Sequence, residues 1–289
     1  MRLAVAASAA YPDLRPDWPL LQAALADRGV VATTQVWTDL HVEWQDFDLV
    51  VANGAWDNIH RAAEFSAWVE TVSGETMLVN PPSVLRWNMD KRYLAALAEA
   101  GVPTVPTLWM APGDPRPDLF EGEIVVKPTI SGGGYETARY RPDEHEQARV
   151  HIDRLHEAGR TVMLQPYQFD VDRIGEVGLI FLGGEYSHAI SKSPLLRAGA
   201  GVQEHLWQDG HIGPALPTTD QRRTAQAALR VAEHVLEPTT YARVDLVPLD
   251  DGTSAVLELE LLDPALFFEH DPPAADRFAA VLAASIAGR

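Results

Sequence analysis

Apolar and polar positions follow two successive rhythms along this chain, and the change between them marks its organisation. Over residues 1–86 short apolar runs alternate with amphipathic stretches. "LAVAASAA" reads as a buried strand, "DWPLLQAALADRG" as a helix ending at Gly29, and "VVATTQVW" as a second strand. "FDLVVANG" gives a third strand, "NIHRAAEFSAWVETVSG" a helix stopped at Gly74, and "TMLVN" a short strand before Pro81 and Pro82. Strand–helix alternation of this kind predicts a parallel sheet covered by helices.

Beyond Pro82 hairpins become more frequent. "NMDKRYLAALAEAG" predicts a helix capped by Asn88 and ended by Gly101, followed by the proline-edged strand "VPTVPTLWM" and the loop "APGDPRPD". Then come a strand ("EIVVKPTI"), a glycine loop ("SGGG"), a strand ("YETARY"), a helix over Asp143 to Ala158 and a strand ("TVMLQPYQF"). "GEVGLIFLGGEYSHAISK" reads as a hairpin turning at Gly183 and Gly184. A helix from Asp220 to Leu236, a second hairpin and a C-terminal helix complete the chain.

The second hairpin carries the first chemical signal. "LELELLDP", residues 257–264, places Glu258 and Glu260 on one strand face and Leu257, Leu259 and Leu261 on the other. Upstream, "YARVDLVPLDDGTSAVLELE" folds about Asp250, Asp251 and Gly252, which brings Asp245 opposite Leu257 or Glu258. Side chains directly opposed in such a pair lie about 5 Å apart, and like charges there repel. A merely wet sheet face explains the two glutamates as well; three converging carboxylates ask for a cation. Oxygen ligands suit magnesium, which takes one or two protein carboxylates and fills its shell with waters and phosphates. On this reading the carboxylates are exposed, and neutralising one leaves the fold intact.

Composition narrows the ligand. The 289 residues, 46% hydrophobic and 22% charged, describe a soluble globular protein of roughly two or three domains. With 23 Lys+Arg against 41 Asp+Glu, a formal charge of -18, nucleic acid and anionic membranes are poor partners. The absence of cysteine excludes disulfides, thiolate nucleophiles and cysteine-ligated metals, and fits the cytoplasm. The apolar run at the start is at the short limit for a signal peptide, and no run approaches the length of a membrane span. A phosphate ligand must therefore be held by a few placed cations and a metal. Lys127 ends a buried-looking strand, and Ser131, Gly132, Gly133 and Gly134 follow it closely; glycine amides beside a lysine can cradle an anion. The run fits neither the P-loop nor the dinucleotide fingerprint, and alone it is more often a hairpin turn. Other chemistries fit poorly. His145 and His151 of "HEQARVH" fall on different helix faces, and His41-Val42-Glu43 lacks the cysteines of a zinc deaminase. His188, His205, His211 and His270 are candidates for an acid or base.

The order "MDK", "VVKP", glycine loop, "MLQPY", "RVD", "LELE" resembles the ATP-grasp superfamily of carboxylate–amine ligases over nearly the whole chain. Each motif is weak; their number and order are specific. "NPPSVLRWNMDKRYL", "ARYRPDE", "YSHAISKSPLLR" and "YARVDLVP" are similar to the branch whose cyclo-ligase closes O-ureido-D-serine to D-cycloserine, with glutathione-synthetase-like ligases more distant.

The resemblance implies an α/β (α+β) ATP-grasp fold. Its parts would be a pre-ATP-grasp parallel-sheet domain over 1–86, an N-subdomain over 87–170 and a C-subdomain over 171–289, with antiparallel sheets clasping the nucleotide. It makes Lys91 and Lys127 the phosphate lysines, Ser131 to Gly134 the flap, Gln165, Pro166 and Tyr167 the adenine linker, and Asp172 a ribose contact. Lys192 and Arg243 would face the γ-phosphate or acyl phosphate, and Asp245, Glu258 and Glu260 would hold Mg2+, with Mn2+ as the other metal. Where Glu260 stands the superfamily commonly has Asn. Plainer roles exist: Lys91 on a solvent-facing helix, Arg243 paired with a sheet carboxylate, Lys192 as a loop charge. The implied activity is ATP-dependent amide formation through an acyl phosphate, releasing ADP and phosphate, and ring-closing where the nitrogen belongs to the same molecule. Its partner would be a small amino-acid-like substrate, with no nucleic acid or membrane; a homodimer is left open. A small-molecule kinase and a non-catalytic ATP-binding module are the alternatives.

Overall fold

The computed structural model describes residues 1–14, 16–115, 121–204, 210–249 and 251–288. Asp250 of the expected turn, the end of the "APGDPRPD" loop and His205 lie outside them. Near the N-terminus, β1 (Arg2–Ala7), β2 (Val31–Val36), β3 (Leu49–Val51) and β4 (Met77–Val79) form a parallel sheet in the order β2-β1-β3-β4. Helices α1 (Asp17–Ala26) and α2 (Ala62–Glu75) connect its strands. α2 runs through Gly74 instead of stopping there, and Asn58 to His60, expected as the helix's first residues, belong to a separate 3-10 turn, Trp56–His60.

The helix expected from Asn88 starts five residues later, as α4 (Tyr93–Glu99), and a helix the sequence reading did not expect, α3 (Pro82–Asn88), ends at Asn88. Asn88 does not cap. Its amide donates to the Leu259 carbonyl at 2.7 Å and accepts from the backbone N–H of Leu261 and Leu262 at 2.7 and 3.1 Å. These distant bonds replace the local cap, and the break leaves Lys91 between the helices, buried.

The second sheet is antiparallel: β5 (Leu108–Met110), β6 (Ile124–Pro128), β7 (Ala138–Tyr140) and β8 (Val162–Pro166) in the order β5-β8-β6-β7, with α5 (His145–Glu157) packed on it. After the short α6 (Val171–Ile174), the third sheet takes β9 (Glu176–Leu182), β10 (Glu185–Lys192), β11 (Ile212–Pro214), β12 (Tyr241–Pro248) and β13 (Ser254–Glu260). Its order is β11-β10-β9-β12-β13, all antiparallel. β11, a short edge strand containing Gly213 and Pro214, gave no alternating signal in the sequence.

Helix α7 (Thr219–Val235) places Ala225, Ala228, Leu229 and Ala232 in one cluster with Val244, Leu246 and Leu259 of the third sheet. The last helix, α8 (Pro273–Ala287), returns to the first sheet, where Phe278 and Leu282 share a core with Leu21 and Leu25. Asn80 ties the same two regions: its Nδ2 donates to the carbonyls of Tyr241 and Leu261 at 2.9 and 2.6 Å, and its Oδ1 accepts from the Thr240 N–H at 2.6 Å. Among the described residues no helix is long and apolar enough to cross a membrane.

Candidate active site

A cavity of ≈ 260 Å³ is lined by both antiparallel sheets and by the loop after β3. The third sheet supplies its charges through the hairpin β12–β13. Asp245 pairs with Glu258 and Arg243 with Glu260, within the expected register. Between Asp245 and Leu246 the register shifts, since Leu246 pairs with Val256 and Leu257 is skipped. This bulge corrects one expectation: Leu257 lines the cavity beside Glu258 and is only half-buried, whereas Leu259, at the cavity wall, and Leu261 belong to the core.

Carboxylate oxygens of Asp245, Glu258 and Glu260 lie within 4.8 Å of one another. An all-oxygen donor set this compact fits a hard divalent ion. The carboxylates are not the exposed groups anticipated. Asp245 is buried, and Arg243 donates to it from Nε at 3.0 and 3.2 Å and from Nη2 at 3.1 Å. Lys192 Nζ stands 2.8 Å from Asp245 Oδ2 and 3.1 Å from Glu176 Oε2. Arg243 Nη2 also donates to Glu260, and Lys91 Nζ lies 3.0 Å from Glu258 while donating to the Ser131 carbonyl. Arg243 thus does pair with sheet carboxylates, while Lys91 is buried rather than solvent-facing and Lys192 ends β10 rather than lying in a loop.

These contacts set the protonation states. Burial pushes the Asp245 carboxyl up, but Arg243 and Lys192 outweigh it and hold it below the usual range. Burial lowers Lys192, yet Asp245 and Glu176 raise it above the ordinary lysine value. Glu260 is raised by burial, with Glu258 and Asp245 adding to that and Arg243 opposing it. Lys127, with no ion-pair partner among the described residues, is lowered to about 8 by burial and the nearby Lys91, against Glu258 and Glu176. It lines the cavity together with Ser131, Gly132, Gly133 and Gly134. In that loop Gly133 (φ 56) and Gly134 (φ 79) are left-handed, a conformation that favours glycine.

Gln165, Pro166 and Tyr167 also line the cavity. Gln165 Nε2 donates to Thr107 Oγ1 at 2.8 Å, and the Arg139 guanidinium stacks 3.4 Å from the Tyr167 ring centroid. Asp172 is not among the lining residues. Its exposed carboxylate accepts from Arg139 at 3.0 Å and from the Tyr167 hydroxyl at 2.6 Å, which fixes the Arg139–Tyr167 stack. Of the candidate histidines, His211 lines the cavity; His188 bonds the Leu266 carbonyl at 2.8 Å, and His270 stacks on Phe267.

Four residues escaped the sequence reading. Glu176 opens β9 as the second partner of Lys192. Gly178, opposite Asp245, gives that carboxylate room: a Cβ there would lie 2.7 Å from Asp245 Oδ1. A glycine inside an apolar strand was the available signal. Asn58 and Asp263 line the cavity from the first sheet's side; Asp263 stood in "LELELLDP" but read as the end of a strand.

Residues 3–80 match the family model described as the N-terminal domain of D-cycloserine synthetase DcsG. The chain is 40% identical over 281 residues to the cycloserine biosynthesis protein DcsG of Streptomyces lavendulae, covering 92% of this chain and 93% of that one. The crystal structure of D-cycloserine synthetase DcsG is similar at a TM-score of 0.91 and 38% identity, over 99% of this chain and 100% of that one. D-alanine–D-alanine ligase from Bacillus anthracis, complexed with ATP, shares the fold at a TM-score of 0.65 and 15% identity, over 100% of this chain and 98% of that one.

Proposed function

This chain belongs to the D-cycloserine synthetase branch of the ATP-grasp ligases, and from that premise we propose how its cavity performs ligation. It is an ATP-dependent, amide-forming ligase with the ATP-grasp fold, and it works on ATP with Mg2+. We assign 1–86 to the pre-ATP-grasp domain, 87–170 to the N-subdomain and 171–289 to the C-subdomain. The substrate is O-ureido-D-serine, and the product is the ring.

In this reading Lys91, Lys127 and the loop Ser131–Gly134 bind the ATP phosphates, and Gln165, Pro166 and Tyr167 meet the adenine. Asp245, Glu258 and Glu260 hold Mg2+, which neutralises charge on the phosphates, and Mn2+ substitutes for it. A substrate carboxylate oxygen attacks the γ-phosphorus, the bond to ADP breaks, and an acyl phosphate forms. The ureido nitrogen bonded to oxygen then attacks the carbonyl and loses its proton as phosphate leaves, and water removes the carbamoyl group from that nitrogen as carbon dioxide and ammonia, which frees the ring. Phosphoryl transfer needs positioning and charge more than covalent help. Lys192 and Arg243 supply that charge, and their bonds to Asp245 hold both cations beside the metal carboxylates before any ligand arrives. The observation that carries the reading is this juxtaposition: carboxylate oxygens within 4.8 Å of one another, with Lys192 and Arg243 on the same cluster. The lack of cysteine supports a cytoplasmic enzyme.

Hydroxylamine added to enzyme, Mg·ATP and O-ureido-D-serine should divert the acyl phosphate to a hydroxamate, with ADP formed alongside. A kinase acting on a hydroxyl gives ADP without hydroxamate. AMP as the stoichiometric product overturns the mechanism.

A further inference from the structure

Almost every carboxylate in and around the cavity is matched with a cation. Glu176 lies 3.1 Å and Asp245 2.8 Å from Lys192, Glu258 lies 3.0 Å from Lys91, and Glu260 accepts from Arg243. Asp263 is the exception among the described residues. Its Oδ2 accepts from Asn58 Nδ2, a neutral amide, at 2.6 Å, and its Oδ1 takes no hydrogen bond among the described residues.

The loop after β3 fixes this carboxyl in place. Trp56 Nε1 donates to the Asp263 carbonyl at 2.9 Å, and Asn53 Nδ2 donates to the Pro264 carbonyl at 2.8 Å. Buried Asn58 commits its Nδ2 to the Ala55 carbonyl at 2.7 Å as well as to Asp263, so its amide cannot turn away. Burial, with Glu258 adding, pushes the Asp263 carboxyl up to about 7 against Lys91, Arg243 and Asn58. The ionised form is thus held back until a further positive charge sits beside it.

We infer that Asp263, oriented by Asn58, binds the α-ammonium group of the substrate and so selects α-amino acid derivatives over other short carboxylates. The inference rests on the ligase reading and names what that site accepts. An α-amino acid carries its ammonium one carbon from the carboxylate to be phosphorylated, and Asp263 lines the same cavity as the cations Lys192 and Arg243. A carboxylate lacking the ammonium leaves Asp263 unmatched, and sites reject ligands that leave a buried polar group without its partner.

The test uses hydroxamate formation from Mg·ATP and hydroxylamine, with O-ureido-D-serine, D-serine and D-alanine each compared with its des-amino counterpart. Wild-type protein should favour the ammonium-bearing member by ~30-fold or more in kcat/KM. Asp263→Asn keeps the shape and can still accept from Asn58; it should cut that ratio below ~5 through KM. Its ATP affinity, measured by titration, should match wild type, which reports an intact fold. A ratio unchanged in D263N overturns the inference, as does a loss confined to kcat and equal for both members, which would make Asp263 a base. If O-ureido-D-serine is inert while another pair shows the Asp263-dependent ratio, the substrate assignment falls and the ammonium subsite stands. A panel in which nothing reacts overturns both.

Discussion

In the first sheet β1 buries Leu3, Ala4, Val5, Ala6 and Ala7; in the third, β12 buries Tyr241, Ala242, Arg243, Val244 and Asp245 just as deeply. The first needs no explanation beyond helices on a parallel sheet, whose strands read as continuous apolar runs. The second does. Burying ions is costly even when they are paired, and apolar residues of similar size commonly serve stability as well or better. The sheet keeps its apolar face for α7 and spends the other on Arg243, Asp245, Glu258 and Glu260. That asymmetry is what a ligand-binding sheet looks like.

Substitutions in the two strands should separate these roles. Asp245→Asn removes a carboxylate proposed as a metal ligand and leaves Arg243 and Lys192 short of their anion. Turnover should fall by ~10³ or more, and stability by about 3–5 kcal/mol in denaturant titration, because a broken buried pair leaves charge uncompensated. Leu3→Ala should cost a comparable ~2–5 kcal/mol while the folded fraction keeps wild-type kcat. D245N turning over within ~threefold of wild type would erase the distinction between the sheets.

Lys127→Met should weaken ATP binding by ~10- to 100-fold, read by calorimetry. The same lysine predicts a pH dependence. Its value is depressed to about 8 in the free protein, and ATP phosphates favour the charged form. Binding above that pH takes up a proton, so affinity should fall by up to ~tenfold per unit as pH rises through about 8. In K127M that slope should vanish; a slope that survives assigns the titration elsewhere.

Gly178→Ala tests the crowding around Asp245. A Cβ meeting its Oδ1 at 2.7 Å forces a shift, expected to cost ~1–3 kcal/mol and to weaken Mg2+ affinity. Unchanged metal affinity would detach Gly178 from the site. Glu260→Asn restores the superfamily's usual residue and should be the mildest, with kcat within ~tenfold of wild type; complete loss would make Glu260 a substrate contact.

Regular alternation made much of this legible. β12–β13 was placed within one residue because its period-two pattern and its glycine turn agree. The stretch 88–101 misled for the opposite reason. Its helical pattern is strong, but Asn88 answers to backbone across the fold at Leu259, Leu261 and Leu262, which no local rule anticipates. Leu257 escaped through a bulge, and Asp172 through its engagement with Arg139 and Tyr167. Charge pairing was the least visible layer. Arg243 could be read as functional or as paired with a sheet carboxylate, but not as both at once, and Glu176 could not be read as the second partner of Lys192. The Asn58–Asp263 bond spans 205 positions and leaves no mark on either segment.

The central claim is that the substrate carboxylate itself attacks the γ-phosphorus. Substrate labelled with oxygen-18 in that carboxylate tests it directly. An acyl phosphate displaced by nitrogen carries one carboxylate oxygen away, so the released phosphate should contain one labelled oxygen per turnover. Unlabelled phosphate, with the lost label found in AMP or water instead, would contradict the account.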